Sequence, residues 1–384
     1  MRILIIGAGL GGMVAALALR DAGHDVEVHE AAPSLGEVGA GLTLSRGAQH
    51  VFRALGIQDC VARSACRSSA FPFLHYRTGR LLNGAHDHGD GGSDDGVDDV
   101  ARQIHRADLH SVLVEAFAER GPPVITGHRL TGFDQDETGV TSRFADGSTA
   151  RGDALIGADG VKSVVRALLW GDGEPRFTGQ IAYRFLVPTE IAKPYMGFGR
   201  GAVFLGPGLT FNRYTLRGGR IVNGVGIVRT ETWTGEGWST PASREEILDA
   251  FEGWHPDVTG LIGQAEHAIK WGIFDRAPLP GWTQGRVTLL GDAAHAMLPF
   301  LGMGAAMAIE DGMILARSFA AEPNVASAFA RYEAARLPRT TLVHHKSVEQ
   351  GLLTQARDPD TYDGKSAPSS DPSLTAYDPV TAPI

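Results

Sequence analysis

The chain has 384 residues, 43% of them hydrophobic, and a formal net charge of -9. That length and apolar share suffice for two domains with cores of their own, while the negative balance and the lack of a basic stripe argue against a nucleic-acid partner. Neither Cys60 nor Cys66 has CxxC or metal-finger spacing, so neither a disulfide framework nor a metal centre is expected, and no run approaches the roughly 20 apolar residues of a membrane span.

Residues 2–6 form an apolar run that predicts a buried parallel strand, followed at once by Gly7, Gly9 and Gly12 in G-x-G-x-x-G spacing and a helix to about residue 20. The spacing has a physical basis. The first glycine permits a tight turn, the second lets the backbone approach a pyrophosphate, and the third lets the helix pack closely on the strand. A second strand over 25–29 ends at Glu30, about where a carboxylate would accept ribose hydroxyls. An acid there argues against a 2′-phosphate, but it does not separate NAD from FAD, since both carry an adenosine diphosphate.

A loop containing Gly36, Gly39 and Gly41 leads to an amphipathic helix over 48–55, and the two cysteines fall in a helical stretch as reduced side chains. Residues 84–99, rich in Gly and Asp with His86 and His88 among them, predict a flexible solvated loop rather than a metal site. A helix follows over 107–119, then short strands near 124, 129–133 and 140–144 with a turn at Asp146-Gly147. The strand over 153–158 runs into Asp159-Gly160 and a helix start, with Ser163 and Arg166 one turn apart; taken alone, Asp159 reads equally as an N-cap.

Residues 181–271 read as a separate sheet layer, with strands at 181–187, 202–205, 210–216 and 220–228 and a hairpin turn at Gly218-Gly219. Alternation puts Thr210, Asn212 and Tyr214 on one face and Phe211 and Arg213 on the other. Tyr214 is the first candidate to touch a substrate. Arg184 and Arg213 are candidate carboxylate partners, because a guanidinium grips a carboxylate through two parallel hydrogen bonds. For each of these a core or surface role reads as well.

A strand ending at Gly291-Asp292 then passes through His295 and Pro299 into a helix over 303–319. The unpaired N–H groups at its start, around Gly302, Gly304, Ala305 and Ala306, and the positive end of its dipole favour negative charge. Helices follow over 325–336 and from Pro338 in the first helical position. Beyond about residue 357 the Pro, Ser and Asp content predicts a poorly ordered tail, or one that lies over a neighbour.

Together, Gly7-x-Gly9-x-x-Gly12 with Glu30, Gly157-Ala-Asp159-Gly160-x-x-Ser163-x-x-Arg166, and Gly291-Asp292-Ala-Ala-His295-x-x-x-Pro299 resemble the single-component FAD-dependent aromatic hydroxylases, over residues 1–345. In look they are nearest the salicylate, 3-hydroxybenzoate and 6-hydroxynicotinate monooxygenases. The resemblance implies an α/β fold: a discontinuous Rossmann-like FAD domain over 1–180 and 273–345, a mixed β-sheet substrate domain over 181–272, and C-terminal helices with a flexible tail over 346–384. It assigns Gly7, Gly9, Leu10, Gly11, Gly12, Glu30, Ala31, Arg106, Leu130, Asp159, Gly160, Gly291, Asp292, Pro299, Gly302, Gly304, Ala305 and Ala306 to FAD. Thr43, Arg184, Arg213, Tyr214 and Pro299 fall to the substrate, and Tyr214 and His295 to catalysis.

The family's chemistry would then be expected. NADH or NADPH reduces FAD, O2 gives a C4a-hydroperoxyflavin near residues 40–43 and Pro299, and one oxygen passes to a hydroxylated aromatic or pyridine carboxylic acid. Partners would be the small substrate and O2, with a homodimer left open, no membrane, and a cytoplasmic setting. The chain departs from the family at Ala296, where Pro is usual, at Met303, often Gln, and at Thr210 and Arg213, often His; the last two put histidine-based deprotonation of substrate in doubt. A flavin dehydrogenase or oxidase, a plain NAD-dependent dehydrogenase and a non-catalytic flavin-binding sensor remain alternatives.

Overall fold

The computed structural model describes residues 1–36, 41–67, 71–82, 101–171, 173–231, 233, 240–363 and 371–384. Gly39, Ala40 and the acidic loop expected over 84–99 lie outside the described residues.

Four parallel strands form the first sheet, in the order Val287–Leu289, Ala154–Gly157, Arg2–Ile6, Asp25–His29. Ile3, Leu4, Ile5, Leu155 and Ile156 are fully buried, as a parallel sheet covered on both faces requires; each such side chain contributes roughly 1.5–3 kcal/mol through burial. Helix Leu10–Asp21 packs along helix Gly304–Ala321. The close approach depends on missing side chains. A Cβ at Gly312 would lie 2.7 Å from the Ala15 nitrogen, and one at Gly11 would lie 2.6 Å from Leu290 Cδ2. Three adjacent strands therefore end side by side at Ile6, Gly157 and Leu289, and the three motifs that follow them converge outside one edge of the sheet.

The second sheet has seven strands, in the order Thr240–Ala242, Ala268–Asp275, Arg176–Pro188, Ile221–Arg229, Leu209–Leu216, Gly201–Gly206, Phe73–His75. One face carries Phe185 and Phe211 against Phe251, Trp254 and Val258 of the segment containing helices Arg244–Ala250 and Pro256–Ile262. The layer is not confined to the stretch after residue 180, because Phe73–His75 pairs in parallel with its edge. A small antiparallel sheet of Gly41–Leu44, Arg102–His105 and Cys66–Arg67 lies against the larger one, and Leu130–Gln135, Val140–Phe144 and Thr149–Gly152 form a fourth.

Two expectations for the C-terminal part are corrected. Val325–Thr354 is one helix of 30 residues with Pro338 inside it, not two helices. An internal proline costs about 3 kcal/mol, and packing on both sides offsets it: Arg336 and Arg339 are anchored one turn apart, and the Thr340 hydroxyl donates to the Arg336 carbonyl at 3.1 Å. The described tail, 371–384, is packed rather than loose. Arg339 donates to the Ser373 carbonyl at 2.9 Å and lies 4.0 Å from the Tyr377 ring centre, Arg317 donates to Pro379 at 2.8 Å, and Arg331 donates to Ile384 at 2.7 Å.

Candidate active site

Gly7 sits at φ +106, and a Cβ there would meet the Ala158 carbonyl oxygen at 2.4 Å; one at Gly12 would meet the Gly7 oxygen at 2.2 Å. Those two glycines close the turn against protein, whereas a Cβ at Gly9 would meet nothing within 4 Å. Gly9 caps the helix Leu10–Asp21 without a side chain, so the unpaired N–H groups of its first turn, from Leu10 and Gly11 to Gly12, face the same open side. Glu30, at the end of its strand, accepts the Ala8 N–H at 2.9 Å and the Ala32 N–H at 2.8 Å, which fixes its carboxylate beside that turn with lone pairs to spare. Ala31 lies between these anchors, and Leu130 is buried at the start of its strand.

In the second motif the carboxylate has a different job from the one expected. Asp159 accepts from the Ser163 hydroxyl and from the N–H groups of Val164 at 2.7 Å and Val165 at 3.2 Å, so its side chain caps the helix Val164–Trp170. Burial pushes its pKa up, with the Ser163 and backbone donors opposing. The outward-facing part of the motif is Gly160, at φ +80, whose Cβ position meets nothing within 4 Å. Arg166, almost wholly buried, donates to the carbonyls of Ala293 at 3.2 Å and Ala294 at 3.1 Å and so joins the second motif to the third.

The third motif is held from behind. The Gly291 N–H donates to Asp311 Oδ2 at 3.0 Å, and His295 Nε2 lies 2.5 Å from the same oxygen. Arg336 donates to Asp311 at 2.7 Å and to Glu310 at 2.8 Å, and Arg339 donates to Glu310 at 2.7 Å. Burial pushes the Asp311 carboxyl up, but His295 and Arg336 more than offset it and hold it at about 2. His295 is thereby moved out of the catalytic set: it packs against Trp282 behind the loop, far from Tyr214 in the fold. Asp292 is exposed and makes no hydrogen bond among the described residues. Beyond it Pro299–Leu301 forms a single tight turn and Gly302 adopts φ +65 before the helix Gly304–Ala321. Cβ atoms at Gly302 and Gly304 would again meet nothing within 4 Å, while Ala305 and Ala306 continue the first turn.

An extended dinucleotide fits this cradle: a ribose acceptor at Glu30, open glycines at 9, 160, 302 and 304, the uncommitted carboxylate of Asp292, and two helix starts aimed at one side.

The opposite wall is the inner face of the seven-stranded sheet. Ala182, Ile227, Ile273, Val225 and Trp271 on that face pack with Leu298 and Phe300 of the third motif's loop, which puts the sheet over the cradle. Tyr214 belongs to this face: a Cβ at Gly41 would lie 2.4 Å from its hydroxyl, and Thr43 shares the Gly41 side of its strand. Arg184 lies 4.6 Å over the Trp271 ring and is depressed chiefly by burial, with Tyr214 opposing that shift and Arg106, the first residue of helix Arg106–Glu119, adding to it. Arg213 is a correction. It is fully buried on the other face, donates to the Gly199 carbonyl at 2.7 Å and lies 3.8 Å from Asp257, so it cannot reach a ligand held against Tyr214.

Sequence reasoning missed Trp271, Asn223, and the Asp311, Glu310, Arg336 and Arg339 network. The first two sit at inward positions of strands and were readable only with the register in hand. The network had a signal in acids and arginines at helical spacing, which on a single sequence looks like a solvated surface.

Among the described residues no helix is long and apolar enough to cross a membrane, and no cluster of His, Cys, Asp and Glu could hold a metal ion. The pattern of the family described as FAD binding domain matches residues 1–182 and 225–347. A 6-hydroxynicotinate 3-monooxygenase of Pseudomonas fluorescens is 34% identical, with 98% of both chains covered. A 3-amino-4-hydroxybenzoate 2-monooxygenase of Streptomyces platensis is 36% identical over 91% of this chain and 87% of its own. The crystal structure of Klebsiella pneumoniae HpxO with FAD and uric acid superposes with a TM-score of 0.81 at 26% identity, covering 94% of this chain and 90% of that one.

Proposed function

The chain belongs to the FAD binding domain family and is an FAD-dependent aromatic monooxygenase; from that premise we propose that its substrate is a hydroxylated aromatic or pyridine carboxylic acid, held against the sheet by Arg184 and Tyr214. One observation carries this reading. The Arg184 guanidinium is stacked on Trp271, its Nε is buried without an acceptor, and no carboxylate among the described residues pairs with it. A buried cation so placed favours an incoming carboxylate, and a charge-assisted hydrogen bond contributes about 1.5–3 kcal/mol.

Bound FAD supplies the electron transfer from NAD(P)H and the activation of O2 by which one oxygen atom reaches the ring. The chain's residues bind, orient and supply charge. Glu30 takes the ribose hydroxyls, the turn at Gly9 approaches the pyrophosphate, and Asp292 accepts from the sugar-like chain of the cofactor. The start of Gly304–Ala321 favours negative charge on the cofactor ring, and Arg106 flanks that ring. Tyr214 acts as a donor: burial raises its hydroxyl to about 12, only partly opposed by Arg184, so at neutral pH it holds its proton and offers it in a hydrogen bond to the substrate's oxygen. Thr43 and Pro299 close the sides. Use of NADH or NADPH fits a cytoplasmic enzyme.

The test uses purified holoenzyme and a panel of hydroxylated benzoates and pyridine carboxylates. NAD(P)H oxidation and O2 uptake should be stimulated by at least one acid and be matched by a product one oxygen atom heavier. Oxidation that never yields such a product with any acid defeats the reading.

A further inference from the structure

The strand Ile221–Arg229 carries Ile221, Asn223, Val225 and Ile227 on the face turned toward the site; Gly224 and Gly226 are on the other, where a Cβ would lie 2.5 Å from Phe185 and 2.6 Å from Phe251. Asn223 is the one amide in that otherwise apolar row. In register it lies directly between Tyr214 and Leu186, and Arg184 is paired with Val225 two residues along, so Arg184 and Asn223 are diagonal neighbours beside Tyr214. Asn223 is fully buried, and neither its Oδ1 nor its Nδ2 has a hydrogen-bond partner. Asn212, one row over and paired with the same Val225, also has a buried Oδ1 without a partner.

A buried amide with both ends unpaired is costly for the folded protein alone, and an apolar residue of the same shape would serve the sheet better. The arrangement makes sense when something brought to Tyr214 and Arg184 completes the amide's bonds. We propose that Asn223 reads the substrate's ring edge: its acceptor and donor, side by side, pair with a donor next to an acceptor on the ring, while Arg184 holds the carboxylate. This rests on the acid-binding reading above and narrows it. The matching edge is the N–H and C=O of a pyridone lactam or adjacent amino and hydroxyl groups on a benzoate; a lone phenolic hydroxyl satisfies only half of the amide.

The experiment titrates the flavin absorbance of wild-type and Asn223→Leu holoenzyme with three acids: 6-hydroxynicotinate, 3-amino-4-hydroxybenzoate and 4-hydroxybenzoate. The wild type should bind one of the first two about tenfold or more tightly than 4-hydroxybenzoate, and which one identifies the edge that is read. N223L should weaken that acid by about tenfold or more and leave 4-hydroxybenzoate within about threefold, while the melting temperature of the ligand-free holoenzyme stays level or rises, because no intramolecular bond is lost. A preference that survives in N223L overturns the proposal. So does a lower melting temperature with all three acids weakened alike, which is the mark of a structural amide. If N223L fails to retain FAD, Asn223→Ser decides on the same ratio. If the wild type binds and hydroxylates none of the acids in this panel or the wider one, the acid-binding reading falls and this inference with it; if acids are bound and hydroxylated but N223L changes no ratio, this inference alone falls.

Discussion

The wall that faces the cofactor is built largely from backbone: glycines 7, 9, 12, 160, 302 and 304, two helix starts, and the acids Glu30 and Asp292. The wall that faces the substrate is built from side chains, Tyr214, Arg184, Asn223 and Trp271, projecting from four strands of an antiparallel sheet. Backbone cradles need particular residues at fixed spacing, since the chain must turn or approach where a Cβ would collide. A side-chain wall needs only that the inward positions of several strands meet, and many sequences satisfy that. The first wall therefore fixes what chemistry the protein performs. The second fixes which ring it is performed on, and it can change while the first stays constant.

Substitutions on each side test this division. The largest effect is expected at Gly12, where a Cβ would lie 2.2 Å from the Gly7 carbonyl oxygen. That oxygen is rigid backbone, so Gly12→Ala should cost on the order of 4 kcal/mol or more and yield colourless or insoluble protein, read from the FAD content after purification. Retention of full FAD by this variant would break the claim that the first wall tolerates no side chain there.

Next is Arg336→Met, behind the cradle. It leaves Asp311 and Glu310 buried with fewer cations, and truncating one member of such a network costs about 3–5 kcal/mol. Urea unfolding of the holoenzyme should register the loss, and FAD affinity should fall with it because Asp311 carries the Gly291 N–H.

The sharpest contrast on the substrate side is between two arginines of one sheet. Arg184→Met should raise the KM for the acid by roughly 10- to 100-fold and leave melting nearly unchanged. Arg213→Met should lower the melting temperature, because it strips Asp257 of its cation and leaves the Gly199 carbonyl unpaired, with little effect on the ratio of kcat/KM between acids. Reversal of the two outcomes would exchange the faces assigned to them.

The smallest effect at working pH is the titration of Asp311. Its folded carboxyl is depressed to about 2 from an ordinary value near 4. The stability it contributes is fully present above the ordinary value and is lost as pH falls from about 4 toward 2. Acid unfolding of the wild type should show that limb, and Asp311→Asn, which cannot titrate, should flatten it at the expense of stability near neutral pH.

How much was legible follows the same division. Glycine spacing announced the cofactor wall because each glycine answers a backbone demand; even the role of Asp159 was open only between cofactor and cap, and the cap requires Ser163, which was also in view. Arg213 shows the limit on the other side. Alternation separated it from Tyr214, but periodicity does not say which face looks inward, and the glycines opposite Phe185 and Phe251 settle that only once the register is known. Pro338 and the tail misled for another reason: local propensity was outweighed by long-range anchoring of Arg336, Arg339 and Tyr377.

The order of strands in the parallel sheet also sets a timetable. Val287–Leu289 pairs with Ala154–Gly157, with the whole antiparallel layer intervening in the chain. On a ribosome adding about 5–20 residues per second, the first three strands wait on the order of ten seconds for the fourth, and the layer in between can fold first. During that interval the edge strand Ala154–Gly157, all of it apolar or glycine, stands without its neighbour. Misassembly at that edge, rather than loss of the finished fold, is then the stage at which yield in an expressing cell is decided, and slower synthesis or a chaperone acting before residue 287 should matter more than any additive supplied afterwards.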